Sequence, residues 1–236
     1  MNPANSSNSG DREAVLNRIT EALREEAPRH YETLEKPASN SVTASFREWL
    51  PSVGKTRKEQ IALFAKQSEN LKTEFAECTS ATAAAKEIAA LAKKFKWKTV
   101  ALHTNELIES IADKLPDKLG TLKVDDGYEK SALEACDAAI TGCEALIAQT
   151  GSVCVTGASS GGRALSVLPP HHIVIAQKAQ VVPDLPAAFE LLAQTYKRSY
   201  PSFISFITGP SRTGDIERIL VLGAHGPKKL TVLLLP

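Results

Sequence analysis

The chain is 236 residues long, 43% of them hydrophobic and 23% charged, with a formal net charge of +1. This length predicts one substantial core with at most a small appendage, and the composition is typical of a soluble globular protein. The near-zero charge excludes a strong global attraction to nucleic acid or to anionic membranes. No apolar run approaches the roughly 20 residues that a membrane-spanning helix needs.

Four cysteines are present, and no two of them form a C-x-x-C pair. The chain alone therefore lacks the ligand set of a zinc ribbon or a ferredoxin cluster, and buried thiols are the simpler interpretation. We expect no metal and no cofactor in this chain. Its start, residues 1–10, lacks the charged beginning and apolar core of a signal peptide. We therefore expect a cytoplasmic protein with reduced thiols.

The N-terminal segment, residues 1–41, predicts a disordered tail followed by a helical arm. The tail, residues 1–10, is rich in Asn and Ser and low in hydrophobicity. Apolar residues then recur at helical spacing over Asp11–Glu26, with Asp11 as the candidate N-cap. The arm needs a surface to pack against, either the main domain, predicted over residues 42–236, or another subunit.

Helical and strand patterns alternate along the rest of the chain. Helices are predicted over Thr56–Phe75, Ser80–Lys94, Glu106–Lys114, Glu129–Asp137 and Leu185–Tyr200. Strands are predicted at Thr99–Leu102, Leu119–Val124, Val153–Val155 and Ile173–Ala176, with a strand, a turn and a second strand within Ala138–Ile147. The alternation over residues 98–210 favours a mainly parallel, doubly wound sheet.

Three short apolar runs close the chain, at Phe203–Ile207, Ile219–Leu222 and Leu230–Leu235. Their composition is typical of strands that are buried on both faces of a sheet. Two polar turns, residues 209–215 and 223–227, separate the runs. Because α/β sheets carry ligand sites beyond their strand ends, these turns are the first place to look for function.

The turn at residues 209–215 suits an anion. Ser211 is a good N-cap, and the guanidinium of Arg212 offers a planar fork to a carboxylate or phosphate. A helical turn that began here would direct free N–H groups at the ligand. A purely structural cap, in which Asp215 and Glu217 satisfy those groups, is the alternative.

The turn at residues 223–227 contains His225, which is either a functional group or a hydrogen-bonded structural histidine. A third loop, Thr150–Ser152, offers backbone donors and two hydroxyls, and Arg163 is the other cation near these loops in sequence. His171 and His172 are adjacent at the start of a strand, so they point to opposite faces and are poor joint metal ligands.

The run T-G-A-S-S-G-G at residues 156–162 looks like the nucleotide loop of short-chain dehydrogenases. That loop should leave the first strand and open a long helix. Here the run lies two-thirds along the chain, and Pro169 and Pro170 leave no room for the helix. The run predicts a flexible loop between two strands instead.

Short elements follow one another through the second half of the chain: T-G-S at 150–152, Arg163, L-P-P-H-H at 168–172, G-P-S-R-T-G-D-I-E at 209–217 and G-A-H-G-P at 223–227. In this order they resemble the LUD domain, and specifically the stand-alone lactate utilization protein C family. The resemblance is strong from about Ala138 onward and looser over residues 42–137. Gln149 departs from it, because many relatives have an acidic residue there, and Cys143 and Glu144 occupy a turn of usually small residues.

The resemblance implies a Rossmann-like α/β fold akin to sugar isomerases, coenzyme A transferases and methenyltetrahydrofolate synthetases. It also implies a role in oxidising L-lactate to pyruvate, together with two partner subunits that carry iron–sulfur clusters. The cysteine pattern agrees, since this chain alone lacks a cluster ligand set.

We accordingly expect a small carboxylate at the strand-end loops. Arg212 would pair with the carboxylate, and His225, the predicted catalytic residue, would contact the hydroxyl or keto oxygen. The predicted substrate-binding residues are Thr150, Gly151, Ser152, Arg163, Gly209, Ser211, Arg212, Thr213, Asp215 and Gly226. Two alternatives stay open: a stand-alone sugar-phosphate or coenzyme A-linked isomerase or transferase, and a non-catalytic scaffold subunit that docks through the N-terminal arm.

Overall fold

A computed structural model describes residues 8–24, 50–197, 199–213, 221–222 and 226–236 of the chain. The chain divides into two compact units, Met1–Trp49 and Leu50–Pro236. The described part of the first unit is helix α1, Asn8–Arg24. Because Asp11 lies inside this helix, its predicted role as the N-cap is wrong, and the predicted tail overlaps the helix by three residues.

The helices of the second unit begin at polar caps. They are α2 Arg57–Leu71, α3 Ala81–Phe95, α4 Glu106–Ala112, α5 Lys130–Glu134 and α6 Leu185–Tyr196. Thr56 and Glu59 form a capping box at α2, in which the Thr56 N–H donates to the Glu59 carboxylate over 2.8 Å. Ser80 caps α3 by accepting from the N–H of Ala83.

The strands fall into three groups. They are β1 Glu74–Glu77, β2 Thr99–Leu102, β3 Gly120–Lys123, β4 Ala138–Thr141, β5 Ala145–Ile147, β6 Ser152–Thr156, β7 His171–Gln177, β8 Val181–Val182, β9 Ile204–Ile207, β10 Arg212–Thr213, β11 Val221–Leu222 and β12 Lys229–Leu235. Within the described residues, six of them form one sheet in the order β1-β12-β7-β4-β2-β3, with every pair parallel. The predicted Rossmann-like, mainly parallel α/β fold is confirmed.

A second sheet has the order β8-β5-β6-β9, and β10 pairs with β11 as a separate antiparallel ribbon. Of the two apolar runs Phe203–Ile207 and Ile219–Leu222, the first contradicts the prediction of a strand buried on both faces. The first run gives β9, an edge strand whose residues are only half-buried. The described part of the second run, Val221–Leu222, belongs to the ribbon. Only Leu230–Leu235 enters the centre of the parallel sheet, as part of β12.

Strand β1 corrects a second prediction, since the helix expected over Thr56–Phe75 ends at Leu71. Lys72 takes a left-handed conformation with φ of 63° and terminates the helix. Strand β1 then pairs only with β12 at the edge of the sheet, and its sequence E-F-A-E has exposed ends. Because edge strands carry charged residues, the segment lacks the apolar run that identifies a central strand.

The core lies on both faces of the parallel sheet. On one face, Ile173 and Ile175 of β7 pack with the buried residues of α3 and α4. On the other face, Val174 packs with α2 and with residues of the second sheet. This burial explains why the central strands are continuous apolar runs. Within the described residues, no helix combines the length and apolar character required to cross a bilayer.

Candidate functional site

A cavity of about 310 Å³, here called the Arg212 pocket, lies at the amino edge of the parallel sheet. His172 and Leu230, near the amino ends of the paired strands β7 and β12, form part of its wall. The predicted residues that line it are Gly209, Ser211, Arg212 and Gly226. The structure therefore brings together the described parts of the two polar turns that the sequence singled out.

The two turns are held against each other and against α2. The N–H of Ser211 donates to the carbonyl of Pro227 over 2.9 Å, which joins the turns directly. Gly209 has a φ of 86°, and a Cβ at this position would lie 3.1 Å from the carbonyl oxygen of Leu71. Both constraints favour glycine, because other residues rarely adopt this φ and no side chain fits so close to the backbone.

Arg212 is exposed at the wall of the pocket, and its guanidinium donates to the carbonyl oxygen of Leu71. Leu71 is the last residue of α2, where helix carbonyls lack intrahelical partners and a cation is favourable. A guanidinium has five N–H donors, so this bond leaves donors for a carboxylate. Arg212 thus has a structural contact on one side and anion-binding capacity on the other.

His172 is fully buried beneath the pocket, with 0% of its surface exposed. Its Nε2 lies 2.8 Å from the hydroxyl of Thr141, and that hydroxyl donates to the carbonyl of Gly142 over 2.9 Å. Since the hydroxyl has one proton and the Gly142 carbonyl can only accept, we assign that proton to the carbonyl and the ring proton of His172 to Nε2. Burial lowers the pKa of His172 to about 3, so the ring is neutral.

The Thr150–Ser152 turn lies next to these residues but does not line the pocket. The hydroxyls of Thr150, Ser152 and Thr208 form a chain with oxygen separations of 2.8 Å and 2.8 Å. Thr208 directly precedes Gly209, so the chain links the turn to the pocket wall. Gly151 packs on α2, since a Cβ there would lie 2.8 Å from that of Gln67.

The other predicted site residues divide into one that lies away from the pocket wall and three whose side chains are not described. Arg163 donates from its guanidinium to the carbonyl of Ser202 over 3.0 Å and does not form part of the wall. The backbone of Thr213 belongs to the ribbon, paired with Val221. Asp215 and His225 lie outside the described residues, so their roles stay predictions.

A second cavity of about 510 Å³, here called the carboxyl-edge crevice, lies at the opposite edge of the sheet. Its lining includes Asn105, Gly142 and Gln177, which follow or end strands β2, β4 and β7. The chain proceeds from β2 to β3 on one side and to β4 on the other, which is the topological switch point where such sheets often bind ligands. Glu106 also lines it, so the lining carries an acidic group.

The loop at residues 156–162 packs over this crevice. Nδ1 of His103 lies 2.7 Å from the Asp125 carboxylate, and Nε2 lies 2.9 Å from the carbonyl of Ala158. Burial opposes ionisation of Asp125, but hydrogen bonds from Thr104 and His103 hold its pKa below the ordinary value. These polar groups are bound to one another and hold the loop at the sheet.

The same loop does not act as a nucleotide-binding loop. It joins β6 to β7, as predicted, and no helix follows it. The N–H groups of Ala158 and Ser159 donate to the Thr156 hydroxyl, that of Ser160 to the Thr156 carbonyl, and that of Gly162 to the Gly157 carbonyl. Because these donors are used within the loop, they are not free for a phosphate.

The cysteines are all buried and free, as predicted. Burial raises the pKa of Cys154 to about 12 and also raises that of Cys143, so both thiols stay protonated. Glu144, which departs from the family pattern, accepts from the Tyr196 hydroxyl over 2.6 Å. Gln149, the other departure, donates from its side chain to the carbonyl of Pro51 over 3.0 Å, so it has a structural role.

Sequence reasoning missed His172 and Ser166 as pocket residues. His171 and His172 do fall on opposite faces of β7, as strand alternation predicted. That alternation could have separated His172 from its neighbour, but nothing in the sequence identified the face that adjoins a cavity. Ser166 follows Arg163 by three residues and carries no motif of its own.

The fold and the two cavities define an α/β protein of Rossmann-like architecture with ligand-sized pockets at both sheet edges. The LUD domain profile matches residues 61–235 of this chain. The chain therefore belongs to the LUD domain family, in agreement with the resemblance of its motifs.

Relatives with curated names match part of this chain. Lactate utilization protein C of Bacillus subtilis is 37% identical over 103 residues, which cover 43% of this chain and 43% of that protein. Lactate utilization protein C of Deinococcus radiodurans is 32% identical over 116 residues, covering 49% of this chain and 54% of that protein. The chain thus matches about half the length of these relatives.

One solved structure is similar in fold. It is the crystal structure of a DUF162 family protein from Deinococcus radiodurans, with a TM-score of 0.59 and 22% sequence identity. The superposition covers 78% of this chain and 100% of that chain. At this identity the similarity shows the fold alone.

Proposed function

We propose that this protein serves in lactate utilization and binds a small carboxylate in the Arg212 pocket. The observation that carries the proposal is the convergence of Gly209, Ser211, Arg212 and Gly226 on one cavity. A planar guanidinium at the wall of a small cavity suits a carboxylate, which it binds through two parallel hydrogen bonds. The names of the relatives supply the physiological setting in which that carboxylate is lactate or pyruvate.

The finer proposal is that the protein takes part in the oxidation of L-lactate to pyruvate. That reaction removes two electrons and two protons from the C2 carbon and its hydroxyl, so an electron acceptor is required. The resemblance to the lactate utilization protein C family implies that iron–sulfur clusters of partner subunits are that acceptor.

Within the pocket, Arg212 pairs with the carboxylate, and the Thr150–Ser152 turn supports the wall through the Thr208 hydroxyl. His225 stands next to Gly226, which lines the pocket, and is retained as the candidate base. If His225 acts as a base, turnover by the assembled complex should titrate near the pKa of that residue.

Titration calorimetry with L-lactate and pyruvate tests the binding proposal. Wild type should bind at least one of them, and Arg212→Ala should lose that binding by about tenfold or more, because a charged hydrogen bond is lost. Arg212→Lys should recover only part of it, since an ammonium lacks the planar fork. Arg57→Ala is the matched control, because Arg57 is an exposed arginine at the other end of α2.

Two outcomes would contradict the proposal: absence of binding to wild type, or equal losses in Arg212→Ala and Arg57→Ala. Co-purification from native cells tests the partner proposal separately. Iron-containing subunits should co-purify with the tagged protein. The purified complex should reduce an electron acceptor when lactate is added. Turnover of a sugar phosphate or a coenzyme A ester by the isolated chain would instead favour the isomerase or transferase alternative.

A further inference from the structure

Two buried polar atoms around the Arg212 pocket have no hydrogen-bond partner within the described residues. They are Nδ1 of His172 and the hydroxyl of Ser166. Their residues are 0% and 4% exposed, and both belong to the wall of the cavity. Leaving a buried polar atom unpaired is costly, so such atoms usually mark a ligand or an ordered water.

The hydrogen-bond chain determines what Nδ1 of His172 can bind. Since Nε2 donates to Thr141, the ring is the tautomer in which Nδ1 has a lone pair and no proton. Nδ1 is therefore an acceptor, and only a group that donates a proton satisfies it. A hydroxyl meets this requirement, whereas a ketone oxygen, itself an acceptor, does not.

The pocket thus combines a carboxylate-binding cation with a buried acceptor. A 2-hydroxy acid carries a carboxylate and a donor hydroxyl on adjacent carbons, and a 2-oxo acid carries two acceptors. We propose that Nδ1 of His172 accepts a hydrogen bond from the C2 hydroxyl of the bound acid, so that the pocket selects 2-hydroxy acids over 2-oxo acids. This inference rests on the proposed function, because it takes the carboxylate to lie at Arg212.

His171, on the opposite face of β7, has a hydrogen-bond arrangement similar to that of His172. Its Nε2 lies 2.8 Å from the hydroxyl of Thr231, which donates to Glu74, and its Nδ1 is also buried without a partner. The ring packs against Phe95 and Trp97, with centroids 5.7 Å and 5.1 Å away. His171 does not line the Arg212 pocket, so it is a matched control for His172.

Calorimetry with L-lactate, pyruvate and propionate tests the inference at neutral pH. Wild type should bind L-lactate about tenfold more tightly than either analogue, because only lactate donates to the acceptor. His172→Gln retains a donor near the position of Nε2 for Thr141 and lacks the acceptor at the δ position. It should weaken lactate binding by about tenfold and leave pyruvate binding unchanged.

Two further variants test the assignment. His172→Asn places a side-chain carbonyl near the position of Nδ1 and should recover part of the preference for lactate. His171→Gln should leave both affinities at the wild-type level. Histidine ¹⁵N NMR of wild type gives a readout that does not depend on ligand binding by a variant, since the variants serve only to assign the resonances. The resonance of the unprotonated Nδ1 of His172 should shift when lactate is added and should not shift with pyruvate.

The outcomes separate the inference from the proposed function. Equal binding of lactate and pyruvate that still depends on Arg212 would overturn the inference and leave the proposed function intact. An unchanged Nδ1 resonance with lactate bound would do the same and would indicate that water satisfies the atom. Failure of all three acids to bind would overturn both.

Discussion

The two edges of the parallel sheet carry cavities that differ in volume and in the hydrogen bonding of the polar groups around them. The carboxyl-edge crevice is larger, at about 510 Å³ against about 310 Å³ for the Arg212 pocket. Around the crevice, His103 and Asp125 bind each other and hold the adjoining loop. Around the pocket, His172 and Ser166 each have an unpaired buried atom.

Volume and topology favour the crevice as a ligand site, whereas the unpaired buried atoms favour the pocket. The crevice occupies the switch point where ligands bind in many α/β sheets, yet the nearby groups of His103, Asp125 and the 156–162 loop are bound to one another. The pocket lies at the amino edge, where this rule does not place it, and retains a cation and a buried acceptor. Ligand binding should therefore affect the pocket and leave the crevice unchanged.

The largest expected effect is on the pH dependence of the free energy of unfolding, which differs between the groups at the two edges. Burial lowers the pKa of His172 to about 3 and that of His171 to about 4, from an ordinary value of 6.5. The unfolded chain therefore binds protons first, so stability is fully present above about pH 6.5 and falls as pH decreases towards 4. Each histidine contributes on the order of 3–5 kcal/mol across its window. Urea denaturation at several pH values measures this slope.

His172→Gln should reduce the slope by about 1.4 kcal/mol per pH unit. Asp125, near the crevice, affects the free energy of unfolding over a lower pH range. Its lowered pKa stabilises the folded protein above the ordinary value of 3.8, and this stabilisation is lost at lower pH. A slope between pH 6.5 and 4 that is identical in wild type and His172→Gln would show that His172 is not buried as a neutral ring.

The next effect comes from the threonines that hold the two histidines. Thr141→Val and Thr231→Val should each destabilise the protein by about 2 kcal/mol, because each leaves a buried ring N–H without its acceptor. Only Thr141→Val should also weaken lactate binding, since it releases the ring beneath the pocket. Denaturation and calorimetry on the pair measure both quantities, and equal effects on binding would contradict the comparison.

A glycine substitution perturbs the crevice alone. Gly161 has a φ of 63°, and a Cβ there would lie 2.8 Å from the side chain of His103. Gly161→Ala should destabilise the protein by about 1–3 kcal/mol, with no change in lactate affinity. Gly157→Ala is the control, because a Cβ there has no neighbouring atom within 4 Å. A large loss of lactate binding in Gly161→Ala would place the ligand at the crevice.

The smallest effect on stability is expected for Ser166→Ala. Removing a buried hydroxyl that has no partner should change the free energy of unfolding by less than about 1 kcal/mol, towards higher stability. The same variant should weaken lactate binding by a few-fold if the hydroxyl contacts the ligand. A marked loss of stability without ligand would show that the hydroxyl is already paired.

Much of the fold was accessible from sequence because the central strands are buried on both faces. Thr99–Leu102 coincides with β2, and Ala138–Ile147 does contain a strand, a turn and a strand. Strand β1 was missed because an edge strand needs no apolar run. The second sheet was missed because apolar runs do not specify which sheet a strand joins.

The candidate site was predictable only in part. The turns around Arg212 and Gly226 were singled out by residue type, and the structure brings them to one cavity. His172 was not predicted, because its partner Thr141 lies 31 positions away and on another strand. Such a pairing depends on strand order, and the sequence does not determine that order locally.

A crystal structure of the protein grown with saturating L-lactate tests the central claim most directly. We expect the carboxylate of lactate to lie against the guanidinium of Arg212, with its hydroxyl within hydrogen-bond distance of Nδ1 of His172. Lactate in the carboxyl-edge crevice beside Asn105 and Gln177, with the Arg212 pocket filled only by water, would contradict the account.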